Sequence, residues 1–123
     1  MRTKAVKTEI DGYVFDSKTE AARYVVLKAL ERSGEISGLT VHPAFELALN
    51  GQRLGKFTAD FRYFDKLASV EGGHGTWGTD TVEDVKGWKR SKKTGKMLPR
   101  VNREFGIKVK LMKALYGIDV RVV

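Results

Sequence analysis

The sequence predicts an α+β fold, a mixed sheet flanked by two helices, and three observations carry that prediction. Short apolar runs of strand length recur along the chain, two longer segments show helical spacing, and turn dipeptides punctuate the runs at Asp11-Gly12 and Asn50-Gly51. With 123 residues, 41% hydrophobic and 31% charged, the composition is that of one globular domain spanning residues 1–123, large enough to hold a modest core without staples.

Asp11-Gly12 joins the runs 7–10 and 13–15 as a two-residue hairpin turn. Ser17-Lys18-Thr19-Glu20 has the form of a capping box and opens a helix over residues 21–32, with Gly34 as its stop. Ala21, Ala22, Val25, Val26, Ala29 and Leu30 recur at helical spacing and are the expected packing face. Strand-like stretches follow at 36–41, 45–49 and 55–64, and Asn50-Gly51 marks a second hairpin. Residues 65–80 turn polar and glycine-rich and read as a loop, before a strand returns over 81–86. Residues 87–99 carry Lys89, Arg90, Lys92, Lys93 and Lys96 with no acidic residue and read as an exposed, mobile segment. Pro99 is expected to open the second helix, whose stripe is Val101, Phe105, Val109, Met112 and Tyr116, with Gly117 as its cap and residues 118–123 as a closing strand.

The balance of 23 Lys+Arg against 15 Asp+Glu leaves a net charge of +8, which favours a polyanionic partner, nucleic acid being the commonest. Zero cysteines exclude a disulfide scaffold, thiolate zinc sites and a Cys nucleophile. No apolar run approaches a membrane span, the best one at 24–27 being stopped by Lys28. Arg2, Lys4 and Lys7 are followed by Glu9 and Asp11 in place of an apolar secretory core, so no membrane association and a cytoplasmic location are expected.

Chemistry concentrates at Val82-Glu83-Asp84-Val85-Lys86, read with Asp60 on a strand over 59–64. Alternate side chains of a strand share a face, so Asp84 and Lys86 project together with Cα atoms roughly 6.6 Å apart. If the Asp60 strand lies beside them, two carboxylates converge where a hard divalent cation can sit, with Lys86 near the same substrate oxygen. That is the equipment of metal-assisted phosphodiester hydrolysis. Glu83 falls on the opposite face and reads as a pairing or surface residue.

At these residues the chain resembles the PD-(D/E)XK nuclease superfamily, through Asp60, Asp84-Val85-Lys86 and the upstream helical Glu20. Asp11-Gly12, Phe15-Asp16-Ser17-Lys18 with Glu20, Ala59-Asp60-Phe61 and Glu83-Asp84-Val85-Lys86-Gly87 resemble specifically the small phage and prophage DUF1064 group, over nearly the whole chain. The resemblance implies a restriction-endonuclease-like αβββαβ core preceded by a β-hairpin. It implies Asp60, Asp84 and the Val85 carbonyl as ligands of Mg²⁺, with Mn²⁺ able to substitute, Lys86 positioning or activating water, and Glu20 as a supporting or second-metal group. It departs from the superfamily pattern at Ala59, where Pro is usual, and at Asp84, where Glu is commoner. The activity implied is an endodeoxyribonuclease of a phage or prophage, working in the bacterial host on branched DNA in recombination, repair or packaging, as a homodimer like the minimal Holliday-junction resolvases.

Each residue has a plainer reading beside this one. Glu20 can serve only as the third residue of its capping box, and a helical wheel sets it away from the Ala21/Val25/Ala29 face; Asp60 can pair with Arg62; Asp84 and Lys86 can form an exposed ion pair. Gly73 to Gly78 matches a dinucleotide-binding pattern by letter but precedes a strand, and reads as a loop. His42 and His74 lack metal-ligand spacing, and His42 beside Pro43 reads as a turn or surface residue. The basic run from Lys89 to Lys96, with Trp88 or Trp77 able to stack on a base, lies where a DNA backbone would pass the site. A non-catalytic nucleic-acid-binding or anti-defence protein, and a nuclease subunit that needs a partner, remain the rival classes.

Overall fold

A computed structural model describes residues 7–66, 79–86, 88–99 and 102–123. The glycine-rich segment 73–78, with Trp77 and His74, and Val101 of the expected helix stripe lie outside the described residues. The fold is α+β, with two helices and a mixed sheet.

Strands β1 (Thr8–Ile10) and β2 (Tyr13–Phe15) form the N-terminal hairpin, with Asp11 and Gly12 at φ 53 and 82, the left-handed pair that a two-residue turn requires. Helix α1 (Lys18–Ser33) follows at once. The Ser17 side chain accepts from the Glu20 N–H, and Gly34, at φ 86, caps the far end.

Strand β3 (Ile36–Val41) enters the central sheet, whose order is completed by β6 (Phe61–Asp65), β7 (Thr79–Asp84) and β10 (Val120–Val122). The order is β10-β7-β6-β3, antiparallel between β3, β6 and β7, and parallel between β7 and β10. Inserted between β3 and β6 is a separate hairpin, β4 (Ala44–Leu49) and β5 (Gln52–Thr58), turning at Asn50 and Gly51. After β7 comes a third hairpin, β8 (Trp88–Arg90) and β9 (Met97–Pro99), then helix α2 (Arg103–Tyr116).

Two apolar clusters hold the layers together. Phe15, Ala21, Tyr24, Leu27, Ile36, Phe61 and Tyr63 join α1 and the first hairpin to one side of the sheet. Phe45, Leu47, Phe57, Ala59, Val82, Met112 and Ile118 join the β4–β5 hairpin and α2 to Val82 of β7. Fully burying such side chains contributes roughly 1.5–3 kcal/mol each.

Four expectations are corrected by this architecture. The core face of α1 is Glu20, Ala21, Tyr24 and Leu27, while Val25 and Val26 are half exposed and Ala22 and Ala29 are exposed, because Phe15, Phe61 and Ile36 receive the large aromatic and leucine side chains. The expected run 55–64 is two strands: at Ala59 and Asp60 the chain passes from the hairpin to the sheet, where the Pro43 carbonyl accepts from the Ala59 N–H and the Asp60 carbonyl from the His42 N–H. Residues 88–99 form a hairpin whose turn is held by Ser91 Oγ, which accepts from the N–H groups of Lys93 and Thr94. Pro99 belongs to β9, and α2 starts after Asn102, whose side chain accepts from the Phe105 N–H at 2.8 Å.

No helix among the described residues is long and apolar enough to cross a membrane.

Candidate functional site

Four corners of the fold meet at one place. Glu20 comes from the first turn of α1, His42 from the corner after β3, Asp60 from the corner before β6, and Asp84, Val85 and Lys86 from the end of β7. The site sits where strands end, so its backbone groups are free to bond side chains: Asp60 Oδ2 accepts from the Val85 N–H at 2.6 Å. The Asp84 carboxyl lies beside that of Asp60, close enough to disfavour its charged form.

Burial decides the electrostatics. Glu20 and Asp84 are 4% and 5% exposed. Burial first, then the neighbouring Asp84 carboxyl, push Asp60 up to about 8 against the pull of the Val85 N–H, and Glu20 adds to the repulsion. A cluster of carboxylates that resists carrying its own charge is a place where a cation is favoured, and the oxygen donors suit a hard divalent ion. Lys86 supplies part of the neutralisation: its Nζ lies 3.0 Å from Asp84 Oδ2 and 4.3 Å over the centre of the Phe105 ring, so it is held by an ion pair and a cation–π contact together. Beside it opens a cleft of ≈ 330 Å³ lined by Lys56, Thr58, Asp84, Lys86, Asn102 and Lys108, among others.

The sequence-derived set is brought together in its acidic half. Asp84 and Lys86 share a face, as strand alternation requires, and the apolar Val82 on that face is fully buried. The alternative partner proposed for Asp60 is engaged elsewhere, since Arg62 forms a two-pronged pair with Asp80. Glu20 has two roles: its N–H caps the helix through Ser17, while its carboxylate contacts His42 Nε2 at 2.8 Å. Glu20 does lie away from Val25 and Ala29, as the helical wheel has it, but the buried face of α1 is the one it shares with Tyr24 and Leu27.

Arg90, Lys92, Lys93 and Lys96 lie on the β8–β9 hairpin, exposed, and that hairpin is strung between two residues of the cleft, Lys86 and Asn102. Trp88 and Lys89 are in β8, with their side chains outside the described residues.

His42 was missed as a site residue. Its donor atom, with one oxygen each from Glu20 and Asp60, forms a group whose members all lie within 4.8 Å of one another. The signal available in the sequence was its place at a strand-to-strand corner; at φ 54 the backbone there is left-handed, uncommon outside glycine. Glu83 is corrected from a possible surface residue to a fully buried one: both its oxygens accept from Arg23, at 2.6 and 2.9 Å, and Tyr63 Oη donates to it at 2.6 Å.

Comparisons with curated proteins and with solved structures give no match. A family model does: the one described as "Protein of unknown function (DUF1064)" matches residues 1–116, and the chain therefore belongs to the DUF1064 family.

Proposed function

We propose that the protein is a Mg²⁺-dependent endodeoxyribonuclease of the PD-(D/E)XK type that hydrolyses phosphodiester bonds in branched or structured DNA. The observation that carries the proposal is the meeting of the Asp60 and Asp84 carboxyls, with Lys86 Nζ 3.0 Å from Asp84, at the open end of the sheet. The order helix, three antiparallel strands, helix, parallel strand agrees with the restriction-endonuclease-like core, with the β4–β5 and β8–β9 hairpins as additions to it.

In this reading Asp60, Asp84 and the Val85 carbonyl hold Mg²⁺, or Mn²⁺ in its place. Bound there, the ion acidifies water and polarises the phosphoryl group. Asp60 is fixed through the Val85 N–H, which sets the direction its remaining lone pairs face. The Lys86 ammonium, anchored on Asp84 and Phe105, is placed to orient the attacking water and to stabilise negative charge on the phosphoryl oxygens. Glu20 supports the pair as a further carboxylate. Phosphates of the strand pass along the cleft over Lys56 and Lys108 toward the β8–β9 hairpin, whose sequence carries Trp88, Lys89 and the exposed lysines. A phage or prophage origin, action in the host cytoplasm and a homodimer that offers two sites to a two-fold junction belong to the same proposal.

The experiment is incubation of the protein with labelled four-way junction, flap, single-stranded and duplex DNA in Mg²⁺, Mn²⁺ or EDTA. Metal-dependent products that are most abundant from the junction are expected, and sedimentation on the junction reports the dimer. Salt-sensitive binding without products from any substrate would replace the nuclease by a binding protein.

A further inference from the structure

The cleft beside Lys86 has a neighbour on the far side of Lys108. A second cavity, a groove of ≈ 400 Å³, opens there; its apolar walls are Leu47 and Leu54 of the β4–β5 hairpin and Ile107 and Leu111 of α2, and Arg103 stands at its rim. Glu104 and Lys108 line both cavities and are joined by an ion pair of 3.2 Å, so one turn of helix separates polar cleft from apolar groove. The groove lies in the size range of small-ligand pockets, roughly 300–1,000 Å³. Leu54 and Ile107 leave 49% and 50% of their surface to water, although Leu47 between their elements is buried. The charges around this apolar surface are mostly positive: Lys56 on the cleft side and Arg103 on the groove side are exposed and form no ion pair among the described residues. Glu104 is the acidic exception, with its carboxylate on the boundary.

We infer that the groove between Leu54 and Ile107 receives one unpaired nucleobase of the DNA whose backbone runs through the adjoining cleft. An anionic backbone carrying apolar, flat heterocycles is the chemistry that matches cations on one side of Lys108 and apolar walls on the other. With a phosphate on Lys56 and Lys108, the base of a neighbouring nucleotide crosses the helical turn and covers Leu54 and Ile107, which bases do against apolar as well as aromatic side chains. The Glu104 carboxylate at the boundary is an acceptor for an exocyclic amino group, such as that of cytosine. A base in an intact duplex is stacked and paired and must be pulled out at a cost, whereas one at a branch, bulge or end is already free. The groove is thus the element that selects structured DNA over plain duplex. The inference rests on the reading of the cleft as a DNA path but requires no cleavage.

Its test is fluorescence anisotropy of the full chain, in EDTA, with a labelled duplex that carries one unpaired cytosine and with the same duplex abasic at that position. The wild type is expected to bind the cytosine duplex about tenfold tighter than the abasic one. Leu54→Ser and Ile107→Ser should each bring that ratio close to one, and Val14→Ser, an equally exposed apolar residue on the first hairpin, should keep it. The two groove variants lie on different elements, so if one fails to fold by circular dichroism the other decides. A wild-type ratio near one, a ratio that survives in a folded groove variant, or a ratio lost in Val14→Ser would each overturn the inference. An altered sedimentation coefficient of the groove variants without DNA, with the ratio intact, would assign the groove to a second copy of the chain instead. Junction cleavage by a wild type with no base preference would remove the base site and leave the nuclease standing; the preference in a protein that cleaves no DNA would do the reverse.

Discussion

Asp60 bears two opposed demands, burial beside a second carboxyl and a hydrogen bond that favours its charged form. Because its folded value of about 8 lies above the ordinary 3.8, the folded protein binds this proton more tightly than the unfolded chain. Its contribution to stability is therefore full below 3.8 and is lost as pH rises through about 8. The melting temperature of the metal-free wild type, relative to Asp60→Asn, is expected to fall across that interval, and saturating Mg²⁺ to flatten the fall. A pH-independent difference would show that Asp60 is not held in this way. Across the sheet, Arg23 meets the fully buried Glu83. Arg23→Ala strands that carboxylate and is expected to cost about 3 kcal/mol or more in denaturant unfolding. At this scale the pairing of Asp84 with Lys86 was legible because two residues along a strand share a face by geometry alone. His42 was illegible because its partners, Glu20 and Asp60, are separated from it by 22 and 18 positions and meet it only in the folded chain.

Elements were readable where a local rule governs them. Both two-residue hairpin turns follow from residues that tolerate left-handed backbone, and the first cap of α1 follows from Ser17. The face of α1 did not follow, since it carries apolar residues on two sides and only the sheet beneath decides which is buried. That decision is testable: Leu27→Ala should cost about 2–5 kcal/mol, whereas Val25→Ser should change stability by less than about 0.5 kcal/mol in urea unfolding. Equal costs would return the core to the Val25 face. The start of α2 was misread for a related reason. Proline is favoured at the first helical position, but Asn102 offers the Phe105 N–H a side-chain acceptor, which Pro99 cannot. Asn102→Ala should lower stability by about 1 kcal/mol. The β8–β9 hairpin escaped notice because lysines and small polar residues carry no alternating pattern; its turn bonds come from Ser91 and Thr94.

For the whole molecule, the net charge of +8 pointed to a polyanion, and the fold gathers part of it at the cleft and the hairpin that leads from it. Lys92→Glu with Lys93→Glu should weaken DNA binding and reduce the slope of log affinity against log salt by about 2 or more, with stability unchanged. The sheet order β10-β7-β6-β3 was not legible in the pattern, because strand neighbours are set by contacts distant in sequence. The central claim, that Asp60, Asp84 and Lys86 form a metal-dependent hydrolytic site, is tested most directly by the cleavage rate of a labelled four-way junction by wild type and by Asp84→Asn in Mg²⁺, with binding followed in parallel. Cleavage that EDTA abolishes and that Asp84→Asn lowers at least about a hundredfold, with junction affinity retained, is the predicted result. Cleavage by Asp84→Asn at the wild-type rate would contradict it.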